Sequence, residues 1–118
     1  MDANIFHVAM YPWFALGHLT SYLHISNKLA ECGHKVSFLM SRNTISKLEH
    51  LNLHPNLISF IPITIPHVDG LPLCSETTAE LPFALHSFLM TAMDLTEPII
   101  EDCVRKLRPH VILLFVFF

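Results

Sequence analysis

The chain has 118 residues, 52% of them hydrophobic and only 14% charged, and a formal net charge of -3 with histidine neutral. That length suits one small domain, and the balance is too apolar for a disordered segment. A mildly acidic chain carries no basic footprint for nucleic acid, and no apolar run approaches the ~18 residues needed to span a bilayer.

In chain order, "IFHVAM" (5–10) is a short apolar run and reads as a buried strand. Residues 18–31 then place Leu19, Tyr22, Leu23, Leu29 and Ala30 at helical spacing, and Gly33 follows as a C-cap. "KVSFLM" (35–40) is a second strand, and residues 42–51 form a short helix with Ser41 as its N-cap. A third strand lies within "NLISFIPITI" (56–65), ended by Pro62 or Pro66. The Pro, Gly and Asp punctuation of residues 66–78 reads as an ordered loop. Residues 79–107 are helical, with Pro82 in a first turn and Pro98 marking a kink or a restart after Asp94 or Thr96. Leu95, Ile99, Cys103 and Leu107 mark the expected buried face of the later part. "HVILLF" (110–115) is a fourth strand.

Alternation of strands and helices predicts an α/β fold: a Rossmann-like parallel sheet with flanking helices, in one domain over 1–118. Cys32, Cys74 and Cys103 are widely spaced, odd in number and form no CxxC pair, so they read as reduced thiols. The first Lys or Arg is Lys28, so no secretory signal is expected and the expected location is cytoplasmic.

In an open parallel sheet, ligands bind beyond the carboxyl ends of the strands where strand order reverses. With the order 3-2-1-4, that crevice lies between strands 1 and 4, below the loop "YPWFALGH" and whatever follows strand 4. The chain has only three glycines, Gly17, Gly33 and Gly70, and therefore neither a G-x-G-x-x-G nor a Walker A loop. The loop instead offers Tyr11, Trp13 and Phe14, then Gly17 and His18.

His18 falls in the first turn of the helix, where the positive end of the helix disfavours an imidazolium. A neutral imidazole there suits a general base acting on a hydroxyl, given a carboxylate to orient it. The plain alternative is a capping or surface histidine. The other eight histidines read as bland, although His86 lies on a helix that could line a pocket, and none shows metal-ligand spacing. Trp13 and Phe14 fit a loop-anchoring role as readily as a ligand platform. Glu76, Thr77 and Thr78 read by default as a helix-start signal.

"PWFALGHLTSYLHISNKLAECGHKVSFL" strongly resembles the first strand-helix-strand unit of plant small-molecule UDP-sugar glycosyltransferases. "VDGLPLCSETTAEL" (68–81) resembles their acceptor-side loop, and "LTEPIIEDCVRKLRPHVILL" their long helix and fourth strand. The flavour is that of the branch that extends flavonoid or anthocyanin glycosides with a second sugar.

The resemblance implies an incomplete N-terminal, acceptor-side domain of a two-domain GT-B fold, with the UDP-sugar-binding C-terminal domain absent. In the parent enzyme His18 would deprotonate the acceptor hydroxyl, which attacks the anomeric carbon with inversion. The donor would be a UDP-sugar, with no further cofactor and no metal. Acceptor contacts would come from Trp13, Phe14, Gly17, Gly70, Leu71, Glu76, Thr77 and His86.

The family pairs its histidine with an aspartate just past strand 4. It should fall near Phe115 or Val116, where this chain reads "LLFVFF". By analogy with other Asp-His pairs, its loss should cost several powers of ten in rate. The expectation is therefore a transferase fragment inactive by itself. The alternative is a non-catalytic binding or interaction module that takes a small-molecule acceptor. Ending on "FVFF" should also leave an apolar edge through which the chain associates, with poor solubility.

Overall fold

The computed structural model describes residues 5–72, 77 and 81–114. The elements run β1 (His7–Tyr11), α1 (Leu16–Glu31), β2 (Lys35–Ser41), α2 (Arg42–Leu48), β3 (Ile58–Ile63), α3 (His86–Asp94), α4 (Glu97–Leu107) and β4 (Val111–Leu114). Single 3-10 turns follow α2 at Glu49–Leu51 and precede α3 at Phe83–Leu85. The four strands form one parallel sheet, as the sequence predicts, in the order β3-β2-β1-β4.

Over β1, β2 and β3 both faces of the sheet are covered and alternate residues divide between two cores, whereas the four residues of β4 are exposed. Ala9 and Tyr11 of β1 and Leu39 of β2 join Trp13, Phe14, Leu89, Ala92, Met93 and Ile100 on one side. Val8, Met10, Val36, Phe38 and Met40 join Leu19, Leu23, Ala30 and Leu48 on the other. The period-2 split explains why these strands read as continuous apolar runs.

The helix α1 ends where the sequence places its cap. Gly33 has φ +89, its N–H donates to Ala30 O at 2.9 Å, and the N–H of His34 donates to Leu29 O at 3.1 Å. That pair of bonds is a Schellman motif, and it needs the left-handed residue that glycine supplies without a Cβ penalty. Asn27 then ties α1 to the approach to β3: its side-chain N–H donates to Leu51 O at 2.9 Å, and its Oδ1 accepts the N–H of Leu53 at 3.0 Å.

The long helical stretch breaks into two helices at Leu95–Thr96, and Pro98 lies in the first turn of the second. The expected buried face is corrected here. Leu95 and Ile99 are exposed at 52% and 37%, whereas Thr96 and Ile100 are buried. Cys103, Val104 and Leu107 complete the packed stripe. The reason is a buried hydrogen bond between the hydroxyls of Thr96 and Tyr11, 2.6 Å apart, which fixes the side that α4 turns to the sheet. Ser41 stands at the N-cap of α2 but makes no side-chain bond to the helix backbone; its hydroxyl bonds Thr44 Oγ1 at 2.6 Å.

Candidate functional site

The site grows from the short connection between β1 and α1. Tyr11 ends β1, and the chain turns at once, with the N–H of Ala15 donating to Trp13 O at 2.8 Å. Ala15 is the extended N-cap of α1, and its carbonyl accepts the N–H of Leu19 at 2.9 Å. Leu16, Gly17 and His18 therefore form the first turn of the helix, where the sequence places His18. The imidazole is half-buried. Because β1 has β2 on one side and β4 on the other, this turn stands at the reversal of strand order.

Trp13 and Phe14 pack inward. Their rings stack at 5.9 Å with an interplanar angle of 14°, and they are only 7% and 2% exposed. Tyr11 meets Phe14 edge-on at 5.8 Å. Leu71, Leu81 and Leu89 close the same cluster. The aromatic pair thus anchors the loop that carries Gly17 and His18, and Leu71 belongs to that packing. Gly17 is exposed, and a Cβ there would meet nothing within 4 Å.

The second loop is bent to fit α3. Gly70 has φ +98, and a Cβ on it would stand 3.1 Å from the Phe88 ring. The ring of His67 bonds Leu71 O at 3.2 Å, and Leu71 N–H donates to Val68 O at 3.0 Å. His86, the first residue of α3, is half-buried, bonded through Nε2 to Leu81 O at 3.3 Å and set edge-on to the exposed Phe83 at 5.3 Å. Thr77 is buried. Glu76, and the positions near Phe115 and Val116 where a carboxylate was expected, lie outside the described residues. The structure thus gathers Trp13, Phe14 and Leu71 in one cluster, with Gly70 packed on its Phe88 flank. Gly17 and His18 follow in the first turn of α1, the first exposed and the second half-buried.

A residue not singled out as a site from sequence is Tyr11. Burial pushes its phenol up to about 12, against a smaller opposing effect of the Thr96 hydrogen bond. Tyr11 also lines a groove of about 580 Å³ between β4 and α4, with Thr96, Ile100, Val104, Ile112 and Leu114. Its signal in the sequence was only a polar-ended aromatic closing an apolar strand.

Among the described residues, no group of three His, Cys, Asp or Glu side chains is arranged to hold a metal ion. No helix among them is long and apolar enough to cross a membrane. Cys32 and Cys103 are free thiols, and Cys74 lies outside the described residues.

No family model matches the chain. It is 61% identical over 95% of its length to a cyanidin 3-O-galactoside 2''-O-xylosyltransferase of Actinidia chinensis var. chinensis, and covers 24% of that protein. It is 51% identical over 94% of its length to an anthocyanidin 3-O-glucoside 2''-O-glucosyltransferase of Ipomoea nil, again covering 24%. In fold it is similar to the crystal structure of Arabidopsis thaliana UGT89C1, with TM-score 0.85 and 22% identity, over 94% of this chain and 29% of that one. The same protein has been crystallised with quercetin and with UDP-L-rhamnose. The chain spans about a quarter of the length of the curated relatives it matches. Sequence and fold together make it a homologue of the plant UDP-glycosyltransferases over nearly all of its own residues.

Proposed function

We propose that these residues are the N-terminal, acceptor-side part of a UDP-sugar-dependent glycosyltransferase that adds a second sugar to a flavonoid or anthocyanin glycoside. The observation that carries this reading is His18 in the first turn of α1, at the reversal of strand order, in a chain 61% identical to an anthocyanin-glycoside xylosyltransferase. In the proposed step the imidazole takes the proton of an acceptor hydroxyl. The hydroxyl oxygen forms a bond to the anomeric carbon as the bond from that carbon to the UDP oxygen breaks, and the configuration inverts. The acceptor would lie over the first turn of α1 at Gly17 and His18, with Gly70, Thr77 and His86 at its other side and Trp13, Phe14 and Leu71 bracing the floor.

The donor would be held by chain that these 118 residues do not include, which makes the test a reconstruction. The chain would be joined to the remaining three quarters of the Actinidia relative and supplied with UDP-xylose and cyanidin 3-O-galactoside. Donor-dependent transfer by the joined protein carrying Phe115→Asp or Val116→Asp, with none by the 118 residues alone, is the expected result. Transfer by the 118 residues above a buffer control would overturn the division of labour.

A second reading, a binding module without transfer, is favoured by one observation: "RPHVILLFVFF" holds no carboxylate to orient His18. It predicts acceptor binding by the joined protein with no turnover, even after an aspartate is placed at 115 or 116.

A further inference from the structure

At the end of the sheet opposite His18, two imidazoles hold the start of β1. The N–H of Phe6 donates to His34 Nδ1 at 3.0 Å, and the N–H of His7 donates to His110 Nδ1 at 2.9 Å. The backbone returns both bonds: Lys35 N–H donates to Phe6 O at 2.9 Å, and His110 N–H donates to His7 O at 2.8 Å. His34 belongs to the turn that leads into β2, and His110 to the turn that leads into β4. The Phe6 ring lies against both imidazoles, at 5.4 Å from His34 and 5.9 Å from His110. These two reciprocal pairs fix where β2 and β4 start along β1.

A ring nitrogen accepts a hydrogen bond only through a lone pair. Both Nδ1 atoms face backbone N–H groups, so the arrangement requires neutral rings with the proton on Nε2. A protonated ring would set N–H against N–H. We propose that His34 and His110 form an acid-sensitive latch that holds the lead-in to β1 and the edge strand β4 while both rings are neutral, and releases them on protonation.

Further charged and titratable groups stand near the latch. His7, on β1, is bonded through Nε2 to Ser37 Oγ at 2.8 Å. Its ring is held below the ordinary histidine range by burial, then by Lys35 on β2 and by His110. Arg108, two residues before His110, adds a further cation to that turn. Among the described residues, neither His34 nor His110 is paired with a carboxylate that would favour its charged form. Among the described residues β4 has β1 as its one strand neighbour, so it is the element the latch controls most.

The test is amide hydrogen exchange of the chain at pH 7.5 and pH 5, read as protection factors so that the intrinsic pH dependence of exchange is removed. Protection of residues 111–114 should fall roughly tenfold at the lower pH, as two hydrogen bonds of ordinary strength are lost. The double variant His34→Asn/His110→Asn offers a side-chain oxygen near each Nδ1 position and does not titrate. It should keep the pH 7.5 protection and lose the fall, while His7 remains in both proteins and cancels. An unchanged fall in the double variant would overturn the latch. Should that variant not fold, nitrogen-detected NMR of the unaltered chain decides the matter. Proton on Nε2 of both rings at pH 7.5 supports the latch, and proton on Nδ1 of either refutes it.

Discussion

A side chain added at Gly17 would meet nothing within 4 Å, whereas one at Gly70 would press on the Phe88 ring from a backbone at φ +98. Gly17→Ala should therefore leave the fold intact, and should raise stability by about 0.5–1 kcal/mol because alanine suits a helix better. In the proposed enzyme the cost should appear as a higher KM for the acceptor of the joined protein. Gly70→Ala should lower stability by about 1–3 kcal/mol, measured by denaturant melts. Tyr11 supplies a pH test. Its phenol is neutral in the fold up to about 12, above the ordinary value of 10. Its contribution is then complete below pH 10 and is lost as pH rises from 10 towards 12. An alkaline fall in stability over that window, absent in Tyr11→Phe, is the expected result. The position of His18 in a first helical turn was legible from its place after an apolar strand and an aromatic loop. The burial of Trp13 and Phe14 was not, because aromatic residues in a loop read the same whether they face the core or a ligand.

Local signals carried the elements whose geometry is local. Gly33 ends α1 through a Schellman motif whose bonds span only five residues, and that is why a lone glycine after a periodic run announces it. Gly33→Ala should cost about 1 kcal/mol in thermal or denaturant unfolding, through the left-handed backbone it must keep. Arg108 closes α4 in the same left-handed region, at φ 50, followed by Pro109. Arg108→Gly should gain about 1 kcal/mol by relieving that conformation, and an unchanged midpoint would show the strain to be absent. The face of α4 was misread for a non-local reason. The bond that orients it joins Tyr11 and Thr96, 85 residues apart, and the periodic pattern of α4 by itself also allowed Leu95 and Ile99 as its inner face.

The sheet is covered on both faces over its inner strands, but among the described residues its β4 edge is bare. Val111, Ile112, Leu113 and Leu114 are 42%, 41%, 37% and 47% exposed, and beside them the groove to α4 is walled by Tyr11, Ile100 and Val104. An unpaired apolar edge of this kind favours association between chains. In sedimentation experiments the 118 residues should grow in apparent mass with concentration, and Ile112→Lys should suppress that growth. The parallel sheet with flanking helices was legible because alternating apolar runs and helices leave few ways to build such a fold. The proposed chemistry rests on the segment-by-segment resemblance to glycosyltransferases, since a histidine in a first helical turn has many uses.

The most direct test of the account is turnover by the joined protein with and without the His18 imidazole, each in a background carrying Phe115→Asp or Val116→Asp. His18→Ala should lower kcat by about 10²–10⁴ with the fold unchanged, the usual contribution of a general base. A variant that transfers sugar as fast as its parent would contradict the role given to His18.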